Sequence, residues 1–262
     1  MRFSRWTPAP PLALKWAPKP LSSAQTRMAR LPNGQLELTI KHDLIRGVTR
    51  EMLAWWFCRI DSTMEYLGQT VSRYRVWHPR DHIFYKDVTT AADGTGSAGT
   101  RRQIVEAFGR NPHYLINIID RVVKLDETGI LLSTEQAGLT LGPFQSPLIP
   151  LGVEVATLQH DFIAASGGTR YQSRMLVGRD TLFGRLFLNR RLLPWLVMSD
   201  DMGRAWLQHN IEEVGNFEHF LPALYDRWLT GGDQAVGAAD ERAATQVRTA
   251  VDMDHYSSLH ID

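Results

Sequence analysis

Two ionisable side chains stand where an apolar helix face belongs. In the segment Asp200 to Trp228, residues Trp206, His209, Glu213, Phe217, Phe220 and Leu224 fall within an arc of about 80° when successive residues are set about 100° apart on a helix. That arc is the face a helix turns toward a core. An unpaired carboxylate is costly to bury, so Glu213 calls for a cation or a strong partner. His209 and Glu213 are four residues apart and therefore adjacent on one side of the helix, where an imidazole nitrogen and a carboxylate oxygen can ligate one metal ion. A buried His–Glu hydrogen bond fits the same spacing. Glu212 and Glu218 point away from the arc, toward solvent.

Other candidate motifs carry less. Cys58 is the single cysteine, so no intrachain disulfide forms, and its apolar run Met52 to Cys58 makes it a small buried hydrophobe. Gly94-Thr-Gly96-Ser-Ala-Gly99 matches G-x-G-x-x-G literally. The dinucleotide reading needs a buried strand before it, and Asp87 to Asp93 is not one, so residues 86–100 are expected to form a mobile surface loop. No H-E-x-x-H occurs, which argues against a zinc peptidase. The formal net charge is +1, from 29 basic and 28 acidic residues. Such a balance gives nucleic acid or an anionic membrane no electrostatic hold. No run of about 18 apolar residues is present, and the proline-rich start lacks the apolar core of a secretory signal. A cytoplasmic protein is expected.

The elements that must position the helix pair follow in order. Residues 1 to about 34 read as an extended arm whose Trp6 and Trp16 pack on the body or on a second subunit. Gln35–Ile40 alternates as a half-buried strand, and Thr49 caps a helix from Arg50 to about Ile60. Alternation from Gln69 to Trp77 predicts a strand ended by His78-Pro79. From Arg102 to Thr181, short alternating runs separated by tight turns predict an antiparallel sheet. Helical periodicity then dominates Asp200 to Trp228, and residues 231–262 read as a loosely attached tail. The class is α+β: the sheet buries its inner face against the last helix.

These residues, taken with Gly47–Phe57 (GVTREMLAWWF), Tyr74–His82 (YRVWHPRDH), Gln103–Gly109 (QIVEAFG) and Gly167–Gly178 (GGTRYQSRMLVG), resemble the 2,4-diacetylphloroglucinol hydrolase family, which includes the phloretin hydrolases. The HPxDH string and the H-x-x-E-E of the last helix are its specific parts. The resemblance implies a Bet v 1-like helix-grip fold over residues 61–230, with residues 1–60 forming an arm and a helical portion that supports a homodimer. It implies one zinc per chain, held by His82, Glu106, His209 and Glu213, and a small acylated phenol as the partner molecule. Tyr74 matches a family tyrosine on the phenolic ligand and His160 a pocket histidine. Tyr85 stands where the family has asparagine, and Met175 where it has an aromatic, so both are expected to touch a substrate of altered shape. Asp81 either orients His82 or caps a turn, and His78 reads as a hydrogen bonder at a strand end rather than a ligand.

The implied activity is hydrolysis of the carbon–carbon bond between an acyl group and a phenolic ring. Zinc would polarise the acyl carbonyl or lower the pKa of the attacking water. Glu106 or Glu213 would assist in deprotonating that water, while Tyr74 and His160 would hold the phenolic hydroxyls and shuttle the proton to the ring. Two rival readings are a non-enzymatic carrier of apolar ligands and a zinc esterase acting on phenolic esters.

Overall fold

The computed structural model describes residues 6, 8–138, 140–141, 144–146, 148–150, 155–192 and 198–231. The expected loose tail lies, beyond residue 231, outside them. The arm leads into strand β1 (Gln25–Arg30), followed by β2 (Leu36–Lys41), β3 (Ile45–Arg46) and helix α1 (Arg50–Cys58). Thr49 caps α1 as the sequence indicates, its hydroxyl accepting from the Met52 amide at 3.3 Å. A small hairpin of β4 (Thr63–Tyr66) and β5 (Gln69–Ser72) precedes helix α2 (Arg73–Trp77).

Long strands then succeed one another: β6 (His82–Thr89), β7 (Arg101–Ala107), β8 (Leu115–Asp126) and β9 (Gly129–Ala137). After the short β10 (Thr140–Leu141), β11 (Phe144–Gln145) and β12 (Ile149–Pro150) come β13 (Ala156–Ala165) and β14 (Gly168–Val177). A π-type helical stretch, Gly184–Leu192, leads to the 30-residue helix α3 (Asp200–Leu229). Ser199 caps α3 by accepting from the Met202 amide, and Asp200 and Asp201 in its first turn suit the helix dipole.

The main sheet is antiparallel and runs β1-β2-β14-β13-β9-β8-β7-β6, with β3 added to β14 and β12 to β9. Residues 25–46 therefore extend the same sheet that the later strands build. Helix α3 packs against this sheet, which gives the α+β helix-grip arrangement. Its face Trp206, Phe217, Phe220 and Leu224 is buried, as the arc predicts. One apolar cluster joins α1, α2 and the C-terminal half of α3 through Trp56, Trp77, Phe217 and Phe220. A second joins Leu36, Leu38 and Val177 to Met202 and Trp206. No helix among the described residues is long and apolar enough to cross a membrane.

Several local expectations are corrected. The strand expected over Gln69–Trp77 stops at Ser72, and residues 73–77 coil into one helical turn and a half. Alternation of Arg73, Tyr74, Arg75, Val76 and Trp77 suits a strand, but Arg73 buries its guanidinium by donating to the Thr63 and Arg59 carbonyls at 3.1 and 3.0 Å. The helical turn also brings Tyr74, Trp77 and His78 to one buried face. The expected loop over residues 86–100 begins only after Thr89, and it is tied down. The Gly96 amide donates to the Cys58 carbonyl at 3.1 Å, and buried Arg102 donates to the Gly96 carbonyl. The arm packs on its own chain: the Trp16 indole donates to Asn216 Oδ1 at 2.7 Å and Trp6 lies on Phe84.

Candidate metal centre

Three elements converge on one point. His82 opens β6 and faces Glu106 of β7 across the ladder, with a register irregularity immediately after it. Cross-strand partners share a face of the sheet, and a bulge is a common device for aiming a side chain. Helix α3 brings His209 and Glu213 to the same place, one turn apart. All four are buried.

The nitrogen–oxygen separations are close to uniform. His82 Nε2 lies 3.3 Å from Glu106 Oε1 and 3.4 Å from Glu213 Oε2. His209 Nε2 lies 3.6 Å from Glu106 Oε2 and 3.7 Å from Glu213 Oε2. Ligands about 2.1 Å from a tetrahedral ion sit about 3.4 Å from one another, so each of these pairs is spaced as two ligands of one ion, and His82, Glu106 and His209 offer three such atoms within 4.8 Å of one another. His82 Nε2 is buried and has no hydrogen-bond partner among the described residues. Its Nδ1 lies 2.7 Å from the Tyr74 carbonyl, which must accept from it. The proton therefore sits on Nδ1, and Nε2 offers a lone pair inward. His209 is oriented the same way, its Nδ1 lying 3.1 Å from Asp81 Oδ2. Ring nitrogens fixed from behind by a carbonyl and a carboxylate are what metal-ligating histidines require. Two neutral imidazoles and two carboxylates fit a divalent ion of zinc's kind.

Without a cation the cluster is held together by protons. Burial lowers the His209 pKa, but the charge of Glu106, the hydrogen bond to Asp81 and the charge of Glu213 outweigh it and hold it at about 9. His82 is likewise raised, since its two carboxylate neighbours overcome burial. Burial pushes Glu106 up, yet the charge of His209 and the contact with His82 bring it down to about 2.

Around these four side chains lies a polar shell that the sequence only partly disclosed. Asp81 supports His209 rather than His82, and accepts also from the Gly109 and Arg110 amides at 2.9 and 3.2 Å. His78, read from sequence as a strand-end group, is buried, stacks on His209 with ring centroids 4.3 Å apart, and places Nε2 3.2 Å from Glu212 Oε2. Glu212 is thus largely buried rather than solvated. So is Glu218, which pairs with Lys19 at 2.7 Å and accepts from the Arg46 amide.

Tyr74 stacks flat on His82, ring centroids 3.7 Å apart, and its hydroxyl donates to Glu106 Oε1. Tyr85 lies 5.0 Å from the Tyr74 ring and donates to Asp87 Oδ1 at 3.2 Å. His160, buried on β13, lies against Phe57 and Tyr171 and bonds Ser173 Oγ through Nδ1 at 2.9 Å. Met175 of β14 is partly buried against the second apolar cluster and is the register partner of Leu38 on β2. Tyr171, unremarked in the sequence, is fully buried with a hydroxyl that has no hydrogen-bond partner among the described residues.

Residues 20–226 match the family described as the DAPG hydrolase PhiG domain. Phloretin hydrolase from Eubacterium ramulus is 24% identical over 189 residues, covering 68% of this chain and 64% of that enzyme. The chain therefore spans a little under two thirds of the length of that relative. Among solved structures, Ara h 8.0201 is 11% identical with a TM-score of 0.42, covering 76% of this chain and 99% of the other. Protein Ms6760 from Mycobacterium smegmatis is 13% identical with a TM-score of 0.43, covering 76% and 98%.

Proposed function

This chain belongs to the DAPG hydrolase family, and on that premise we propose that it is a zinc-dependent hydrolase cleaving the carbon–carbon bond between an acyl group and a phenolic, phloroglucinol-type ring. The observation that supports this most is the buried group His82, Glu106 and His209, with Glu213 3.4 Å from the His82 ring nitrogen that has no hydrogen-bond partner among the described residues. A carrier of apolar ligands has no use for such a cluster. The working unit is taken to be a homodimer, a point sedimentation would check.

Zinc held by the four residues supplies a Lewis acid for the acyl carbonyl and the attacking water. The chain's own residues supply the rest. An aryl–acyl bond resists cleavage because the ring would leave as a carbanion. Protonating the ring carbon first converts the ring to a dienone, from which that carbon departs as an enolate. Tyr74 stands beside Glu106 and His82, where its hydroxyl can hold a phenolic oxygen and relay a proton to the ring. Burial raises the Tyr74 pKa well above the usual phenol value, and the Glu106 charge raises it further, so the side chain stays a donor. Glu106 or Glu213 takes a proton from the water, and His160 receives a second phenolic hydroxyl. In sum, the water oxygen forms the new bond of a carboxylic acid, one water hydrogen reaches the ring carbon, and the aryl–acyl bond breaks with its electron pair on the ring carbon, so no external oxidant or reductant is needed.

Purified protein offered a panel of acylphloroglucinols and matched phenolic esters should carry about one zinc per chain and release acid from the ketones. Turnover of the esters alone would favour the esterase reading. His209→Ala retaining both zinc and ketone turnover would sink the scheme.

A further inference from the structure

The even balance of charge over the whole chain hides a local excess. Residues 181–199 contain Arg185, Arg190 and Arg191 and no acidic residue, and Arg179 and Asp180 stand just before them. The same stretch opens Leu182-Phe183-Gly184-Arg185-Leu186-Phe187. Large apolar side chains interleaved with arginines, and no acid among them, are the composition of a segment that lies in a bilayer interface.

The structure turns these side chains outward. Among the described residues ten large apolar side chains are exposed, and four of them fall within six positions: Leu182 at 75%, Phe183 at 63%, Leu186 at 58% and Phe187 at 49%. Clustering of that kind marks an interaction surface, where scattered exposed leucines would not. Phe183 and Phe187 stack with ring centroids 6.0 Å apart, and the Arg191 guanidinium lies 5.9 Å from the centre of the Phe187 ring. The backbone beneath is fixed. Fully buried Asn189 donates to the Asn33 and Arg179 carbonyls at 2.9 and 2.8 Å and accepts from the Arg179 amide at 2.8 Å. Gly184 packs so closely on Arg179 that a Cβ there would lie 2.2 Å from the Arg179 carbonyl oxygen. The segment is thus tied to the end of β14 and to the β1–β2 turn, so the four side chains are held out before anything docks, and docking costs little ordering.

Charge decides what covers them. Four arginines and one aspartate leave residues 179–199 with a net charge of +3. Asp180 is already engaged by Arg185 at 2.6 Å, and Arg190 gives one N–H to the Pro32 carbonyl at 2.9 Å. An open cleft lined by Leu31, Pro32, Asn33, Arg185, Leu186 and Arg190 sets two guanidinium groups beside apolar side chains. That pairing suits a lipid phosphate above its acyl chains, since a guanidinium keeps donors free for phosphate oxygens. A second copy seated here about a two-fold axis would set the same arginines against each other.

We propose that residues 182–192 form a membrane-docking element that seats Leu182, Phe183, Leu186 and Phe187 in the interface of an anionic bilayer, with Arg185, Arg190 and Arg191 on the lipid phosphates. The attachment is peripheral and reversible, because a few apolar side chains enter the headgroup layer and nothing spans it. It is independent of the metal centre.

Sedimentation of the full chain with sucrose-loaded vesicles tests this. Binding to vesicles of equimolar phosphatidylcholine and phosphatidylglycerol should exceed binding to phosphatidylcholine alone by about tenfold or more at low salt, and should fall as salt rises. Phe183→Ser combined with Phe187→Ser should weaken binding by about tenfold to a hundredfold. Its Tm should stay unchanged, since both rings lie largely outside the fold. Arg185→Gln combined with Arg191→Gln should remove most of the preference for the anionic lipid. Should the phenylalanine variant not fold, Leu182→Ser carries the same test. Equal binding to the two vesicles, binding to neither, or binding untouched by the phenylalanine exchange overturns the proposal. A dimeric wild type and a monomeric phenylalanine variant, with no vesicle bound, would give the patch to a second copy and overturn it as well.

Discussion

Asp81 Oδ2 lies 3.1 Å from His209 Nδ1, joining the loop before β6 to the last helix across 128 residues of sequence. The same carboxylate takes the Gly109 and Arg110 amides, so two backbone donors fix it before it fixes the imidazole. Asp81→Asn keeps the shape but replaces one acceptor with a donor facing other donors. Zinc affinity should fall by about tenfold to a hundredfold in competition with a chromophoric chelator. Unchanged affinity would mean that His209 is held by packing alone.

Metal-free protein should lose stability as the medium becomes alkaline. His209 has an ordinary pKa of 6.5 and about 9 in the fold. A raised folded pKa contributes stability in full below 6.5, and that contribution fades as pH rises through about 9. Thermal unfolding of chelator-treated protein should therefore show Tm falling over this window. With zinc present the histidine ligands must be neutral, so the slope should vanish or reverse.

Tyr74→Phe separates chemistry from metal binding. It removes one hydroxyl from a fully buried ring that stays stacked on His82. Zinc content should hold, while kcat on an acylphloroglucinol should drop by about a hundredfold to ten-thousandfold. Loss of zinc in this variant would instead make Tyr74 a support for Glu106.

Gly129 is a sensitive point for His160 from behind. Its φ is +152°, and a Cβ there would lie 2.2 Å from the His160 carbonyl oxygen. Gly129→Ala should cost about 1–3 kcal/mol in urea unfolding and disturb the strand that carries His160. An unaltered midpoint would show that β9 can shift away freely.

Periodicity made the helix readable, and with it His209 and Glu213, because a 3.6-residue repeat betrays any polar intruder on an apolar arc. The cap at Thr49 and the antiparallel strands were legible for the same local reasons. Placement of His82 against Glu106 depends on a strand pairing that no local pattern encodes, and only the likeness of whole motifs suggested it. The turn at residues 73–77 escaped because five residues satisfy either period, and its outcome is decided by Arg73 reaching two carbonyls. His42 and Ser173 gave no signal at all. They meet because β2 pairs with β14, more than 130 residues later in the chain.

Asn216 gives the arm an importance that its sequence position disguises. The amide accepts from the Trp16 indole at 2.7 Å and donates to the Trp77 carbonyl at 2.8 Å, at the end of α2. Trp16 thus reaches in from ahead of the region shared with the family, which begins at residue 20. A chain trimmed to that shared region would strip a lid from the helix directly behind Glu213. Water would gain a path along α3 toward that carboxylate, and the proposed metal centre would open from the rear.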